Sequence, residues 1–422
     1  MNILVTGTEG YLGCLLAGVL MNEGHEVLGV DTGYYKAGWL YNGIDRSPKT
    51  LEKDLREITA DDLKGIDAIV HMAELSNDPL GDWSLYTMPV QDDGNDGTPD
   101  HGCTDGFGDP GPCFGDYPHI GADQNGIYIT TNEYSAEGPE YNGAQIYAIG
   151  KDALTSGDSE IDVLHFENVY SDGVPGFTVW PAIAPDGGGD PQGGGTEYFM
   201  SSIAGDGSET GNPTGSAKKI VVWALSNTSS LDSVSPSLNL SSVFVGTKAY
   251  VFPPPQTMKA GPTPFGDCLA GEPDSGCASD VLGLDMEDTP SPRPGTADPL
   301  DTRMQQVWYL DGRLYSALGT AVKVKKRTLD GILWFAVTPK WKKGVLKSAS
   351  IKRQGYLALA NNNLSFPAIA IRPDGLGVMA FSVMGDDYYP SAGYSVFDVG
   401  KKPGPIHIVR QGAGPDDGFT QY

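Results

Sequence analysis

Residues 2–31, NILVTGTEGYLGCLLAGVLMNEGHEVLGVD, decide the fold of the first part of the chain. They begin with a short apolar run, NILVT, which predicts a β-strand. A glycine-rich turn, GTEGYLG, leads into a helical pattern that ends at Gly24, and HEVLGVD then predicts a second strand that stops on an acid. Strand, glycine turn, helix, strand and acid in this order predict a βαβ unit with a parallel sheet.

Each residue of the glycine turn has a physical role in binding a dinucleotide. Gly7 permits the tight turn, Gly10 lets backbone N–H groups approach a pyrophosphate, and Gly13 lets the helix pack closely on the strand. The N-terminus of the helix favours the phosphate charge. Asp31 ends the second strand, where a carboxylate accepts hydrogen bonds from the adenosine ribose and repels a 2′-phosphate. The pattern therefore indicates NAD in preference to NADP, with a purely structural turn as the alternative.

Residues 1–81 resemble a known family. With GTEGYLG, LGVD, KDLRE and IVHMAE in that order, they resemble the extended short-chain dehydrogenase/reductase family of NAD-dependent sugar epimerases and dehydratases, although the glycine spacing is GxxGxxG. The resemblance implies a Rossmann unit, β-α-β-β-α-β, with NAD as cofactor. It also implies a set of cofactor contacts: Gly7, Gly10 and Gly13 in the turn, Tyr11 and Leu12 under the pyrophosphate, Asp31 on the ribose, Asp54 and Leu55 beside the adenine, and Ala73 on the nicotinamide side.

The family pattern stops after IVHMAE. Residues 88–121 carry Gly or Pro every few positions and cannot form the long helix expected there. The Rossmann unit is therefore expected to be truncated, with its catalytic half missing. Thr131, Tyr147 and Lys151 imitate the catalytic triad of the family in order and spacing, but a strand tyrosine and a surface lysine explain them more simply, so no catalytic residue is assigned. Any activity would be that of an NAD-dependent epimerase/dehydratase-type oxidoreductase.

Composition and repeated segments predict that most of the chain, including residues 82–422, is β structure. The chain has 57 Gly and 31 Pro with 39% hydrophobic residues, which favours many short strands. Residues 116–134 and 366–394 share an aromatic–Pro start, an apolar strand, an Asp/Asn–Gly turn, and a second apolar strand. Asp311–Gly312 and Asp374–Gly375 are typical of tight hairpin turns.

Strand pairs that recur at intervals of about 40–50 residues predict a β-propeller of roughly five to seven blades, with a sandwich or jelly roll as the alternative. The predicted fold class is thus α/β plus all-β, a truncated Rossmann unit over 1–81 followed by a β-propeller over 82–422.

A second resemblance covers residues 76–422. NDPLGDWSLYTMPVQDDG, CFGDYPHIGADQNGIYITTNEYS, GGGTEYFMSS and GAGPDDGF resemble a group of secreted bacterial propeller-like proteins with no assigned activity. This resemblance implies a propeller-like fold and an extracytoplasmic compartment, and it brings no catalytic residues with it. The alternative to an NAD-linked function is therefore an extracytoplasmic binding or scaffold protein with a vestigial N-terminus and no enzymatic activity. Because SNDPLG, residues 76–81, fits both families, we hypothesise a chimera joined at similar sequence, in the genome or in sequence assembly.

Net charge and aromatic content limit the partners. With 28 Lys+Arg against 54 Asp+Glu, the net charge of −26 argues against nucleic acid and anionic membranes. Aromatic–Pro segments such as Tyr117–Pro118 suit a carbohydrate or another, unknown ligand on the propeller, with core packing as the simpler explanation. The N-terminus lacks a basic region and a long apolar run, so the chain as written is expected in the cytoplasm, while its propeller part looks extracytoplasmic.

The cysteines form two close pairs in Gly/Pro loops. Cys103 with Cys113, and Cys268 with Cys277, predict disulfides in preference to free thiols. Zinc is a weaker alternative, because neither pair has CxxC spacing and His101 is the only suitable histidine nearby. Acidic pairs are expected to be solvated turn residues, with Ca²⁺ binding as the alternative, so no metal ligand is assigned; they are Asp92–Asp93, Asp386–Asp387 and Asp416–Asp417.

Overall fold

The computed structural model describes the chain except for residues 1, 9–10, 23, 33–47, 54–67, 71–85, 87, 96, 106, 137–139, 157–160, 185–188, 204–214, 263–295 and 417–422. For residues 11–15 and 68–70 it describes the backbone alone. The chain divides into two compact units, residues 1–85 (unit 1) and 86–422 (unit 2). None of the described helices is long and apolar enough to cross a membrane.

The described part of unit 1 contains a parallel sheet and a helix of 12 residues. Its elements are β1 (Asn2–Thr6), α1 (Tyr11–Asn22), β2 (Glu26–Asp31), β3 (Lys49–Glu52) and β4 (Ala68–Val70). The strand order is β3-β2-β1-β4, and all three pairings are parallel. The strand–helix–strand order predicted for residues 2–31 is confirmed. Ile3, Leu4 and Val5 are all buried, which is typical of a parallel strand covered on both faces.

Unit 2 is built almost entirely of antiparallel strands. Sixteen of its described strands form four meanders, each of four strands that are consecutive in the chain. Meander A consists of β5 (Cys113–Ala122), β6 (Gly126–Ser135), β7 (Tyr141–Gly150) and β8 (Val163–Ser171), with α2 (Lys151–Ser156) between β7 and β8. The two-residue strand β9 (Val174–Pro175) follows β8.

The remaining three meanders have the same plan. Meander B consists of β10 (Trp180–Ile183), β11 (Thr196–Ser202), β12 (Ala217–Ser226) and β13 (Asn239–Tyr250). After the short pair β14 (Gln256–Thr257) and β15 (Thr296–Ala297), meander C contains β16 (Val307–Leu310), β17 (Arg313–Val324), β18 (Arg327–Lys342) and β19 (Val345–Leu357). Meander D contains β20 (Asn362–Ile371), β21 (Leu376–Gly385), β22 (Ser391–Asp398) and β23 (Ile406–Arg410). This unit is mostly β, as predicted.

Meanders A, B and C are joined through their first strands. β10 pairs in parallel with β5 on one side, through Ile183 and Ala122, and with β16 on the other, through Ala182 and Val307. Meander D forms a separate sheet of four strands. The strands that the structure describes do not close into a ring of blades.

The core of unit 2 lies between the faces of successive meanders. Tyr128 and Ile146 of meander A pack with Phe199 and Trp223 of meander B. A second cluster joins residues of B, such as Tyr198, to residues of C. A third cluster joins C to D, so each meander is buried against its neighbour in the chain.

Aromatic–Pro pairs occur at bulges in the first strands. The β5–β6 register shifts between Asp116 and His119, around Tyr117–Pro118, and the β20–β21 register shifts between Ser365 and Ala368, around Phe366–Pro367. Tyr117 and Phe366 both have a φ of 52°. Proline lacks the N–H that a regular ladder requires, so a bulge is where a strand tolerates it. The segments predicted as a repeat, residues 116–134 and 366–394, therefore share a bulge at their aromatic–Pro starts.

Candidate nucleotide-binding site

The turn after β1 brings together two of the predicted cofactor-binding residues. Gly7 has a φ of 71°, a conformation that favours glycine. Its N–H donates a hydrogen bond of 2.8 Å to the carbonyl oxygen of Val30, which immediately precedes Asp31 at the end of β2. Gly7 and Asp31 therefore lie at the same carboxyl edge of the parallel sheet, where ligands of open α/β sheets bind.

Asp31 is held in the sheet on its other side as well. It lies opposite Glu52 at the end of β3, and its carbonyl oxygen accepts a 3.0 Å hydrogen bond from the N–H of Lys53. The side chain of Asp31 is half-buried, whereas that of Glu52 is exposed. The two acids end neighbouring strands, but only Asp31 belongs to β2, the strand that is hydrogen-bonded to the glycine turn.

Close packing around Gly29 supports the turn. A Cβ atom at Gly29 would lie 2.5 Å from Thr8 Oγ1 and 2.6 Å from Thr50 Oγ1. The Oγ1 atoms of Thr8 and Thr50 lie 3.4 Å apart. Gly29 in β2 thus leaves space for the hydroxyl groups of Thr8 and Thr50 behind the turn. The sequence did not predict either threonine as part of the site, because neither belongs to a motif.

The other predicted contacts fall at or beyond the edge of the described residues. Tyr11, Leu12 and Gly13 form the first turn of α1, with the backbone alone described. Gly10, Asp54, Leu55 and Ala73 lie outside the described residues. The position of the helix N-terminus after the glycine turn follows the sequence prediction.

The triad-like residues of unit 2 do not have the arrangement of the family they imitate. Tyr147 lies in β7 and Lys151 begins α2, so the two are not on one helix. Burial, together with the charges of Asp92 and Glu133, raises the pKa of Tyr147. The ammonium of Lys151 donates to the carbonyl oxygen of Asp123. Within the described residues, Tyr147 is a buried strand tyrosine.

The comparisons with known proteins agree with this division. Residues 3–83 match the model of the NAD dependent epimerase/dehydratase family. The first segment of the chain is therefore similar to the epimerase/dehydratase family. That family implies a nucleotide cofactor. None of the curated proteins matches the chain.

Solved structures share only a weak likeness with the chain. A protein of unknown function from Dyadobacter fermentans is 10% identical with a TM-score of 0.32, covering 70% of this chain and 69% of its own. A Trypanosoma rangeli sialidase is 8% identical with a TM-score of 0.30, covering 69% and 37% respectively. An acylaminoacyl peptidase is 8% identical with a TM-score of 0.29, covering 70% and 33%. Likeness at this level carries no argument about function.

Proposed function

We propose that unit 1 binds NAD, with the pyrophosphate at the turn from Gly7 to Gly13 and the adenosine ribose on Asp31. The observation that carries the proposal is the placement of Gly7 beside Asp31 at the carboxyl edge of a sheet with the order β3-β2-β1-β4. This is the order of the first four strands in dinucleotide-binding sheets.

The proposed contacts follow from charge and hydrogen bonding. Backbone N–H groups at the start of α1 suit the negative pyrophosphate, since they have no acceptor within the helix. The Asp31 carboxylate accepts hydrogen bonds from the ribose hydroxyls of NAD and repels the additional phosphate of NADP.

Bound NAD would supply hydride transfer, but the proposal covers binding rather than turnover. Among the described residues, the triad-like tyrosine of unit 2 is buried on a strand, and the matched family segment ends at residue 83. A nucleotide-sugar epimerase or dehydratase reaction remains the chemistry to which this family segment belongs, should a catalytic partner exist.

The test is a titration of the full-length chain with NADH, followed by nicotinamide fluorescence. We expect saturable binding that Asp31→Ser weakens by about tenfold or more, because a hydrogen bond to a charged group contributes about 1.5–3 kcal/mol. Asp31→Ser should also reduce the preference for NADH over NADPH. Gly10→Val should abolish binding by blocking the approach of the pyrophosphate.

Glu52→Ser is the matched control, because Glu52 is an acid at the end of the adjacent strand, directly opposite Asp31. It should leave the affinity unchanged. Absence of saturable binding by the unaltered chain, or equal weakening by both serine variants, would reject Asp31 as the ribose ligand.

Unit 2 supports a second candidate, an extracytoplasmic binding or scaffold role on a propeller. Cys103 and Cys113 form a disulfide, as the sequence predicted, and disulfides persist mainly in oxidising compartments. Four consecutive four-stranded meanders with cores between their faces support a blade-like organisation, although the described strands do not close into a ring. Thiol titration of the unfolded chain, purified without reductant, tests whether this pair is oxidised. If Cys103 and Cys113 react as free thiols, the proposal of an oxidising, extracytoplasmic compartment is contradicted.

A further inference from the structure

A group of charged side chains is buried where the loop before β5 meets β6. Asp92 and His101 come from the loop and Glu133 from the strand, and their side chains are 1%, 6% and 1% exposed. His101 Nδ1 lies 2.8 Å from Glu133 Oε1 and 3.5 Å from Asp92 Oδ2. The backbone N–H of His101 donates to the carbonyl oxygen of Asp92 at 2.8 Å, which fixes the two loop residues together. The expectation that Asp92 is a solvated turn acid is therefore wrong.

Several polar atoms of this group have no hydrogen-bond partner. They are Asp92 Oδ2, His101 Nε2, Glu133 Oε2 and the hydroxyl of Tyr147, all buried. Buried polar atoms are nearly always paired, and two carboxylates buried together repel each other unless a cation or proton lies between them. Each of the two buried carboxylates thus has one oxygen without a hydrogen-bond partner, beside a single imidazole.

We propose that Asp92, His101 and Glu133 bind a divalent first-row transition ion, for which Zn²⁺ and Mn²⁺ are the probes. Two ligands of one tetrahedral zinc ion lie about 3.3 Å apart when each bond is about 2.0 Å long. The 3.5 Å between His101 Nδ1 and Asp92 Oδ2 already matches this separation. The 2.8 Å between Nδ1 and Glu133 Oε1 widens slightly when the ion replaces the shared proton.

The other ring nitrogen of His101 lies near a carboxylate but makes no hydrogen bond to it. His101 Nε2 lies 3.5 Å from Glu167 Oε2, whose side chain is 51% exposed. Ligating histidines commonly direct their second N–H to a carboxylate, which fixes the ring and increases its basicity. We infer that Glu167 accepts a hydrogen bond from His101 Nε2 when the ion is bound, and so acts as a positioning residue.

The donor atoms also select the class of ion. Cys113 Sγ lies within 4.8 Å of donor atoms of His101 and Glu133, but its disulfide with Cys103 removes the thiolate. Oxygen and imidazole donors remain. Ca²⁺ prefers oxygen ligands alone, whereas imidazole suits transition ions.

The test is calorimetric titration of the full-length, chelator-treated and non-reduced chain with Zn²⁺, Mn²⁺ and Ca²⁺. We expect one equivalent of Zn²⁺ or Mn²⁺, a higher melting temperature with the ion, and no comparable response to Ca²⁺. Glu133→Gln and His101→Gln should lose the binding. Glu167→Gln, at a half-exposed position, should weaken the affinity by about tenfold.

Glu197→Gln is the matched control, because Glu197 on β11 is another buried glutamate whose pKa is raised by burial. Its variant should keep the ion. The proposal fails if the unaltered chain binds no ion, or if Glu133→Gln binds as tightly as the unaltered chain.

Cobalt provides a measurement that does not depend on the folding of a variant. Co²⁺ bound to the non-reduced chain should show ligand-field absorption without a thiolate charge-transfer band. Binding that appears only after reduction, together with that band, would assign the ion to Cys103 and Cys113 and overturn the oxygen and nitrogen ligand set.

Discussion

The two units of this protein place polar residues in opposite parts of their sheets. In unit 1 the candidate residues Gly7 and Asp31 lie at the ends of parallel strands, beyond an apolar sheet. In unit 2 acids lie inside antiparallel meanders, and Glu133, Glu197 and Asp330 are all buried. Strand ends can exchange ligands with solvent at little cost, whereas each acid buried in a sheet must find a partner within the protein.

The same contrast appears in how each unit is packed. Unit 2 buries large side chains between the faces of its meanders, while unit 1 brings backbone and small side chains close together around Gly29. Substitutions that remove side-chain volume should therefore destabilise unit 2 the most, whereas substitutions that add side-chain volume should destabilise unit 1 the most.

The largest effect is expected from Trp223→Ala in unit 2. Trp223 is 1% exposed, and its indole N–H donates to Ser201 Oγ at 2.9 Å. Truncation should lower the free energy of unfolding by about 3–5 kcal/mol, through lost burial and the cavity that remains. Urea unfolding measures the loss. The fully exposed Val234 provides a control, since Val234→Ala should change stability by less than about 0.5 kcal/mol.

The next largest effect is on the pH dependence of stability, and it tests the burial of the His119 ring in meander A. The His119 ring stacks on Trp180 with centroids 3.7 Å apart, and burial together with the charge of Arg303 lowers its pKa to about 4. Between pH 6.5 and 4 the unfolded chain takes up a proton at this histidine that the folded chain does not. Stability is therefore lost as the pH falls through this window, by up to about 3 kcal/mol.

His119→Phe keeps the stacked ring without the titration. Urea midpoints at pH 7 and pH 4.5 should differ less for this variant than for the unaltered chain. An identical pH dependence in both would show that His119 is protonated in the folded state.

A smaller effect is expected from Gly29→Val in unit 1. The added Cβ would lie 2.5 Å from Thr8 Oγ1, so the turn after β1 must shift. Overpacking of this kind costs about 1–3 kcal/mol. Hydrogen exchange of the β1 and β2 amides should report faster opening. Gly18→Ala in α1, where a Cβ has nothing within 4 Å, should instead stabilise the unit by about 0.5–1 kcal/mol.

The smallest effect is expected from an exposed ion pair. Arg372 and Asp374 lie 2.7 Å apart with side chains 69% and 55% exposed. Water and salt screen such a pair, so Arg372→Ala should change the melting temperature only slightly, corresponding to about 0–1 kcal/mol. A larger loss would show that the β20–β21 turn depends on this charge pair.

The parts of the fold that the sequence predicts are those set by neighbouring residues. The β1-α1-β2 order follows from local apolar periodicity. The hairpin at Asp311–Gly312 follows because two successive residues with positive φ, here 48° and 71°, favour that dipeptide. The Cys103–Cys113 disulfide follows from a separation of 10 residues.

The joining of the meanders and the buried acidic group could not be predicted in this way. Ile183 and Ala122, which connect β10 to β5, carry no distinguishing pattern. Glu133 lies 32 residues from His101 and belongs to no motif with it. In the sequence, the only indication of this group is that Asp92, His101 and the two cysteines are close to one another. Glu133 joins them only through the fold.

The plan of unit 2 also has a consequence for how the chain reaches its folded state. Within each meander every strand pairs with the next one in the chain, so these pairings form between residues that are close in sequence. Short-range contacts form quickly, because little chain entropy is lost in closing them. We therefore expect each meander to fold soon after it leaves the ribosome, and the parallel contacts between first strands to form afterwards and more slowly.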